Sequence, residues 1–169
     1  YLGAFIDGVC RGQVTSDTKE GITYFPMRVK GDQADNGKAI SFRLFIYGDE
    51  YELTGPNSLV YSNGTDATGT LSNLFKLTFV SPRYYKFIGG PINVKVGEEV
   101  DMLKYIQFEP ENANKPINFK WNYGNYPGYF EVKDYKLKGL KPIRDAWFSA
   151  MPETMKPLEP GYIIVNVIQ

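Results

Sequence analysis

The sequence predicts an all-β chain, arranged as two tandem antiparallel β-sandwich domains. Three observations carry this. Aromatic residues fill 15% of the 169 positions, with 13 Tyr and 11 Phe, and alongside the β-branched residues they suit a pleated, half-buried surface. Apolar and polar side chains alternate with period two over short runs, as a strand resting on a core requires. Turn formers separate these runs at the spacing of sandwich strands, and 43% hydrophobic content is enough for a core.

The elements follow in order. Ala4-Phe5-Ile6 and Val9-Cys10-Arg11 flank Asp7-Gly8, a strong hairpin signal because a type I′ turn needs positive φ at both central residues. Residues 22–30 (ITYFPMRVK) read as a strand, placed at an edge or bulge because Pro26 cannot donate to a ladder. Residues 31–38 (GDQADNGK) are a loop. Ile40, Phe42, Leu44 and Ile46 then share one face, with Ser41, Arg43, Phe45 and Tyr47 on the other. A turn over Gly48-Asp49-Glu50 leads to a strand at 51–53, another at 59–61, a polar loop at 62–69 and a strand at 74–80.

Gly89-Gly90-Pro91 interrupts the pattern and is the expected boundary, giving domains at 1–90 and 91–169. Beyond it, Ile92, Val94 and Val96 alternate with Asn93, Lys95 and Gly97. Strands are expected over 100–108, at Ile117-Phe119-Trp121, over 129–133 and 136–140, and over 162–168. In the last, Ile163, Val165 and Val167 oppose Tyr162, Ile164, Asn166 and Ile168. The one helix candidate is 144–151 (RDAWFSAM), bounded by Pro142 and Pro152.

Charge and composition exclude several functions. Lys and Arg total 19 against 19 Asp and Glu, nine of each sign in 1–90 and ten of each in 91–169, so no basic face draws nucleic acid or anionic lipid. No apolar run approaches the roughly 20 residues of a membrane-spanning helix, so no membrane insertion of this fragment is expected. Without His there is no imidazole base and no His-bound metal, and one Cys forms neither an internal disulfide nor a thiolate cluster. No metal and no cofactor is expected.

Several motifs carry resemblances. Val94-Lys95-Val96-Gly97-Glu98, Pro110-Glu111-Asn112-Ala113, Trp121, Tyr129-Phe130-Glu131-Val132 and Lys136-Leu137-Lys138-Gly139-Leu140 occur in that order. On these residues the span 91–169 resembles a bacterial Ig-like (Big-type) domain, which implies an Ig-like sandwich with Trp121 in its core. It departs from that pattern in its 136–140 ending and in a Pro-rich excursion over 142–160 that contains Trp147. In the first half, Gly3-Ala4-Phe5 and Cys10-Arg11-Gly12, with Ile40-Ser41-Phe42 and Tyr51-Glu52-Leu53, resemble a β-rich module of surface and secreted proteins of Gram-negative gut anaerobes. That resemblance implies export to the cell surface or extracellular space and supplies no catalytic residue.

Site candidates are few. Cys10 has no His or second Cys to pair with and is expected to pack as a small hydrophobe. The clusters Asp49, Glu50, Glu52 and Glu98, Glu99, Asp101 read as solvated turns rather than hydrolytic carboxylates. Asp32, Asp35 and Asn36 lack calcium-loop spacing. Tyr84 and Tyr85 are candidates for packing between the domains. The richest segment is 121–130 (WNYGNYPGYF): Trp121 is assigned to the core with Ile117 and Phe119, while Tyr123, Tyr126 and Tyr129 are the ligand-binding candidates. Rigid aromatics on a loop stack on sugar faces and anchor protein interfaces alike. The expected function is non-catalytic: a module of a bacterial surface protein acting in adhesion or as a spacer, its partner a glycan or protein on a cell or matrix surface. The alternative is a carbohydrate-binding module using exposed Tyr residues; a glycoside-active enzyme ranks third.

Overall fold

The structure, a computed structural model, describes residues 1–64, 74–124 and 126–169. The expected polar loop at 62–69 therefore lies, from residue 65 on, outside the described residues, as does Asn125. The chain is all-β: among the described residues the only helical elements are two 3-10 turns. It divides into two compact units, Tyr1–Phe79 and Val80–Gln169.

That division corrects the expected boundary at residue 90. The strand Tyr84–Phe87 sends Tyr85 and Phe87, 2% and 3% exposed, into the second unit's core and so belongs with it. Tyr85 is thus a core residue, while Tyr84 beside it is exposed. Gly89-Gly90, with φ of 71° and 107°, forms the bend leading to the next strand, where a side chain would be strained.

In the first unit, β1 (Leu2–Ile6) and β2 (Val9–Val14) form the expected hairpin, with Asp7 and Gly8 at φ 49° and 77°. A shorter hairpin, β3 (Asp17–Lys19) and β4 (Ile22–Tyr24), follows. Next comes β5 (Ala39–Ile46), which pairs with β1 on one side and with β6 (Asp49–Leu53) on the other. The sheet order is β2-β1-β5-β6, with β7 (Leu59–Val60) against the start of β5. The β5–β6 turn is Tyr47-Gly48, so Asp49 is not a turn residue; it opens β6 and is buried. Ile40 and Phe42 join Leu2, Ala4, Ile6, Leu53 and Tyr61 in the core, as the alternation requires. Two expected strands are shorter than read. Residues 25–30 leave the ladder near Pro26, and 74–80 contributes one bridge, Thr78 to Thr54. Phe25, Met27, Phe75 and Leu77 still pack on the core, so the apolar spacing was set by burial and not by pairing.

The second unit holds β8 (Tyr84–Phe87), β9 (Ile92–Lys95), β10 (Glu99–Asp101), β11 (Ile106–Glu109), β12 (Trp121–Asn122), β13 (Phe130–Lys133), β14 (Lys136–Gly139), β15 (Ile143–Ala150), β16 (Lys156–Pro157) and β17 (Ile163–Ile168). They form three sheets, ordered β12-β15-β17-β9, β10-β14-β13 and β11-β8-β16. Ile92, Met102, Leu137, Phe148, Val165 and Val167 are at the centre of the core. Most pairs are antiparallel, but β9–β17 and β8–β16 are parallel. In each pair most of the unit lies between the two strands, ample length for a parallel return. A 3-10 turn at Met102–Tyr105, capped by the Asp101 carboxylate accepting from Leu103 N–H at 3.0 Å, breaks the strand expected over 100–108.

The helix expected at 144–151 is instead β15. Ala146, Phe148 and Ala150 fall on the core side with period two, and the strand pairs with β17 from Ala146–Val165 to Phe148–Ile163. Tertiary pairing overrides the helix-prone Arg, Ala and Met of this segment. The register slips between Ile143 and Ala146, where Asp145 holds φ of 55°.

Candidate functional site

The aromatic side chains of the segment 121–130 pack back onto the core. The Tyr123 ring stacks on buried Phe148, centroids 5.2 Å apart and planes 18° apart, and meets Phe130 edge-on at 6.4 Å. Tyr126 lies edge-on to Phe130 at 6.5 Å, and Tyr129 is half-buried against the same core. Trp121 is half-buried rather than fully buried. Its ring packs among Phe87, Phe119 and Phe148, and its indole N–H donates to the Asp134 carbonyl at 2.6 Å. That bond places the indole at the core's margin, since a buried indole N–H needs a partner.

The other candidates are engaged or scattered. Cys10 is exposed, correcting the expectation that it is buried. An extra residue in β2 between Gly12 and Cys10 sets Cys10 opposite Phe5, on the face away from Leu2, Ala4 and Ile6. The Asp35 carboxylate is buried against the Arg11 guanidinium at 2.6 Å, with Lys38 at 3.6 Å, so cationic side chains already fill its surroundings. The Lys38 ammonium is held above its usual range first by its hydrogen bond to Asp7. Glu50 pairs with Arg43 at 2.8 Å, and Glu99 lies 3.8 Å from Lys136. Among the described residues no three His, Cys, Asp or Glu side chains gather as metal ligands, and no helix is long and apolar enough to cross a membrane.

The structure brings a different group together on the outward face of β12-β15-β17-β9. Because Ala146, Phe148 and Ala150 point inward, Trp147 and Ser149 point out; because Ile163, Val165 and Val167 point inward, Tyr162, Ile164 and Asn166 point out. Trp147 and Tyr162 stack with centroids 4.6 Å apart and planes 6° apart, yet remain 57% and 42% exposed. One face of each ring is covered by the other ring. Asn122 lies across from Ser149, whose hydroxyl donates to the Asn122 carbonyl at 3.4 Å.

A chain of amides lies beside the rings. The Asp145 backbone N–H donates to Asn166 Oδ1 at 2.8 Å, and Asn166 Nδ2 donates to Asn93 Oδ1 at 2.9 Å. The bulge at Asp145 bends this stretch of β15.

Chemically, the face offers an aromatic platform bordered by amide and hydroxyl groups. Its strands carry three charged side chains, Lys95, Arg144 and Asp145. Sequence reading set Tyr162 and Asn166 on one side of the final strand but placed Trp147 in a helix, which hid the pair. Reading 144–151 with period two puts Trp147 opposite Phe148 and exposes it. Compared with protein-family models, with curated proteins and with solved structures, the chain gives no match.

Proposed function

We propose that the chain is a non-catalytic module of an exported bacterial surface protein, acting in adhesion or presenting a binding surface, and that this surface is the outward face of β12-β15-β17-β9. The observation that carries the reading is the stacked, exposed Trp147–Tyr162 pair. Exposed indole gains the fold little, whereas a rigid aromatic pair offers contact area at low entropy cost. Neutral amides around the rings favour carbohydrate as the ligand, with a sugar stacking on the indole and its hydroxyls meeting Asn and Ser groups. Export rests on the Gly3–Phe5 and Cys10–Gly12 motif resemblance. Of the carboxylates that could serve hydrolysis, Glu50 pairs with Arg43, Glu99 lies beside Lys136 and Asp101 caps the turn at Leu103. Glycan-array binding of the wild type and of Trp147→Ala tests this. Binding that vanishes in the variant supports it; a wild type that binds no glycan leaves the spacer or protein-adhesin role.

A further inference from the structure

We infer that Asn93 is the hydrogen-bonding reader of this face, and that the ligand is a neutral oligosaccharide setting an acceptor oxygen over β9 while one ring stacks on Trp147. The inference rests on the reading of this face as a glycan surface and adds its polarity. A backbone N–H can only donate, so the atom of Asn166 facing Asp145 N–H is Oδ1. Asn166 Nδ2 is then committed to donating, and the Asn93 atom receiving it is Oδ1. The Asn93 Nδ2 amide has no hydrogen-bond partner among the described residues. Asn93 is exposed, next to Asn166 in the parallel β9–β17 register. A fixed main-chain donor therefore orients two side chains in series and ends in a presented donor pair.

Asp145 holds φ of 55° at the irregularity in β15, and its N–H meets Asn166 there. Spacing then sets the ligand's size. Trp147 faces Ile164 across the β15–β17 pair, and Asn93 faces Asn166, two residues along and one strand further. At about 4.8 Å between strands and 3.3 Å per residue, the backbone positions of Trp147 and Asn93 are roughly 12 Å apart. That distance exceeds one sugar ring and calls for an oligosaccharide.

Charge selects a neutral partner. Asn93, Asn122, Trp147, Ser149, Tyr162 and Asn166 carry none, and the sheet's three charged side chains nearly cancel. A second copy of the chain fits poorly, because stable protein interfaces bury about 800 Å² per partner around an apolar centre. Two rings and Ile164 set among amide groups are too small for such a centre.

The experiment is isothermal titration calorimetry of the intact chain against neutral tetra- to hexasaccharides of glucose, mannose, galactose, xylose and N-acetylglucosamine, with a sulfated heparin-derived hexasaccharide as charged control. Asn93→Asp keeps the acceptor that Asn166 Nδ2 needs and replaces the unpaired donors with an acceptor. We expect affinity for the neutral ligand to fall about tenfold or more, with a melting temperature near that of wild type. Asn166→Asp still accepts from Asp145 N–H but cannot donate to Asn93, and we expect a several-fold loss as the Asn93 amide loses its orientation. If Trp147→Ala abolishes binding while Asn93→Asp matches wild type, the reader role is overturned and the glycan face stands. If no neutral probe binds the wild type, both fall. A preference for the sulfated control, or self-association lost in Trp147→Ala, overturns the neutral-saccharide assignment.

Discussion

Replacing Tyr123 with Ala distinguishes a core lid from a recognition loop in the aromatic segment. Tyr123 is half-buried, stacked on Phe148 at 5.2 Å and edge-on to Phe130 at 6.4 Å. A fully buried aromatic side chain covers roughly 150–250 Å², so half-buried Tyr123 covers about 100 Å², which at about 25 cal/mol/Å² gives about 2.5 kcal/mol. Discounting by 10–40% for a compact unfolded chain leaves about 2 kcal/mol, and the ring stacking lies within that uncertainty. For a unit of this size, each kcal/mol shifts the midpoint by about 4–8 °C, so the second unit's transition should fall by roughly 8–16 °C. Differential scanning calorimetry of the intact chain reads this directly, with Trp147→Ala showing a smaller fall because most of its indole is exposed. A Tyr123→Ala transition within about 2 °C of wild type would refute the packing argument and return Tyr123, Tyr126 and Tyr129 to the candidate surface.

Two further changes probe the second unit. A methyl group added at Gly139 would sit 2.7 Å from Val167 Cγ1 and 3.1 Å from the Lys95 carbonyl oxygen, so Gly139→Ala should cost about 1–3 kcal/mol by urea unfolding. No loss would mean β14 and β17 can separate without penalty. Burial pushes the Tyr85 phenol above the usual tyrosine range, with its hydroxyl donating to the Ala150 carbonyl at 2.8 Å. In the unfolded chain this phenol ionises near pH 10, before the folded one does, so its contribution is constant below that pH and declines above it. Tyr85→Phe should therefore lose about 1 kcal/mol at pH 7, and that deficit should shrink above pH 10. A deficit unchanged with pH would show that Tyr85 does not titrate late in the folded state.

Local chemistry was legible in the sequence where it decided the outcome. Asp7-Gly8 demanded positive φ at two successive residues, and β5 showed its core face through Ile40 and Phe42. What stayed hidden depended on distant contacts. Gly89-Gly90-Pro91 looks alike as a linker and as a bend, and only the packing of Tyr85 and Phe87 against Phe119 and their neighbours decides which. Tyr composition cannot tell an open loop from a lid, because the Tyr123–Phe148 stack joins residues far apart in sequence. Trp147 was obscured by helix-prone neighbours, although Ala146, Phe148 and Ala150 carried the period-two signal. A positive φ at Asp145 has no residue signature, since glycine is the usual marker.

The two tryptophans allow the central claim to be read at a single residue. Trp121→Phe leaves Trp147 as the sole indole, and Trp147→Phe leaves Trp121 against the core. Fluorescence titration of both variants with the neutral oligosaccharide most strongly bound on the glycan array then reports which ring the ligand covers. If the outward face of β12-β15-β17-β9 is the binding surface, Trp121→Phe shows a saturable blue shift as sugar excludes water from Trp147, while the emission of Trp147→Phe stays unchanged. Saturable binding with no spectral change at Trp147, or a shift confined to Trp121, would contradict the account.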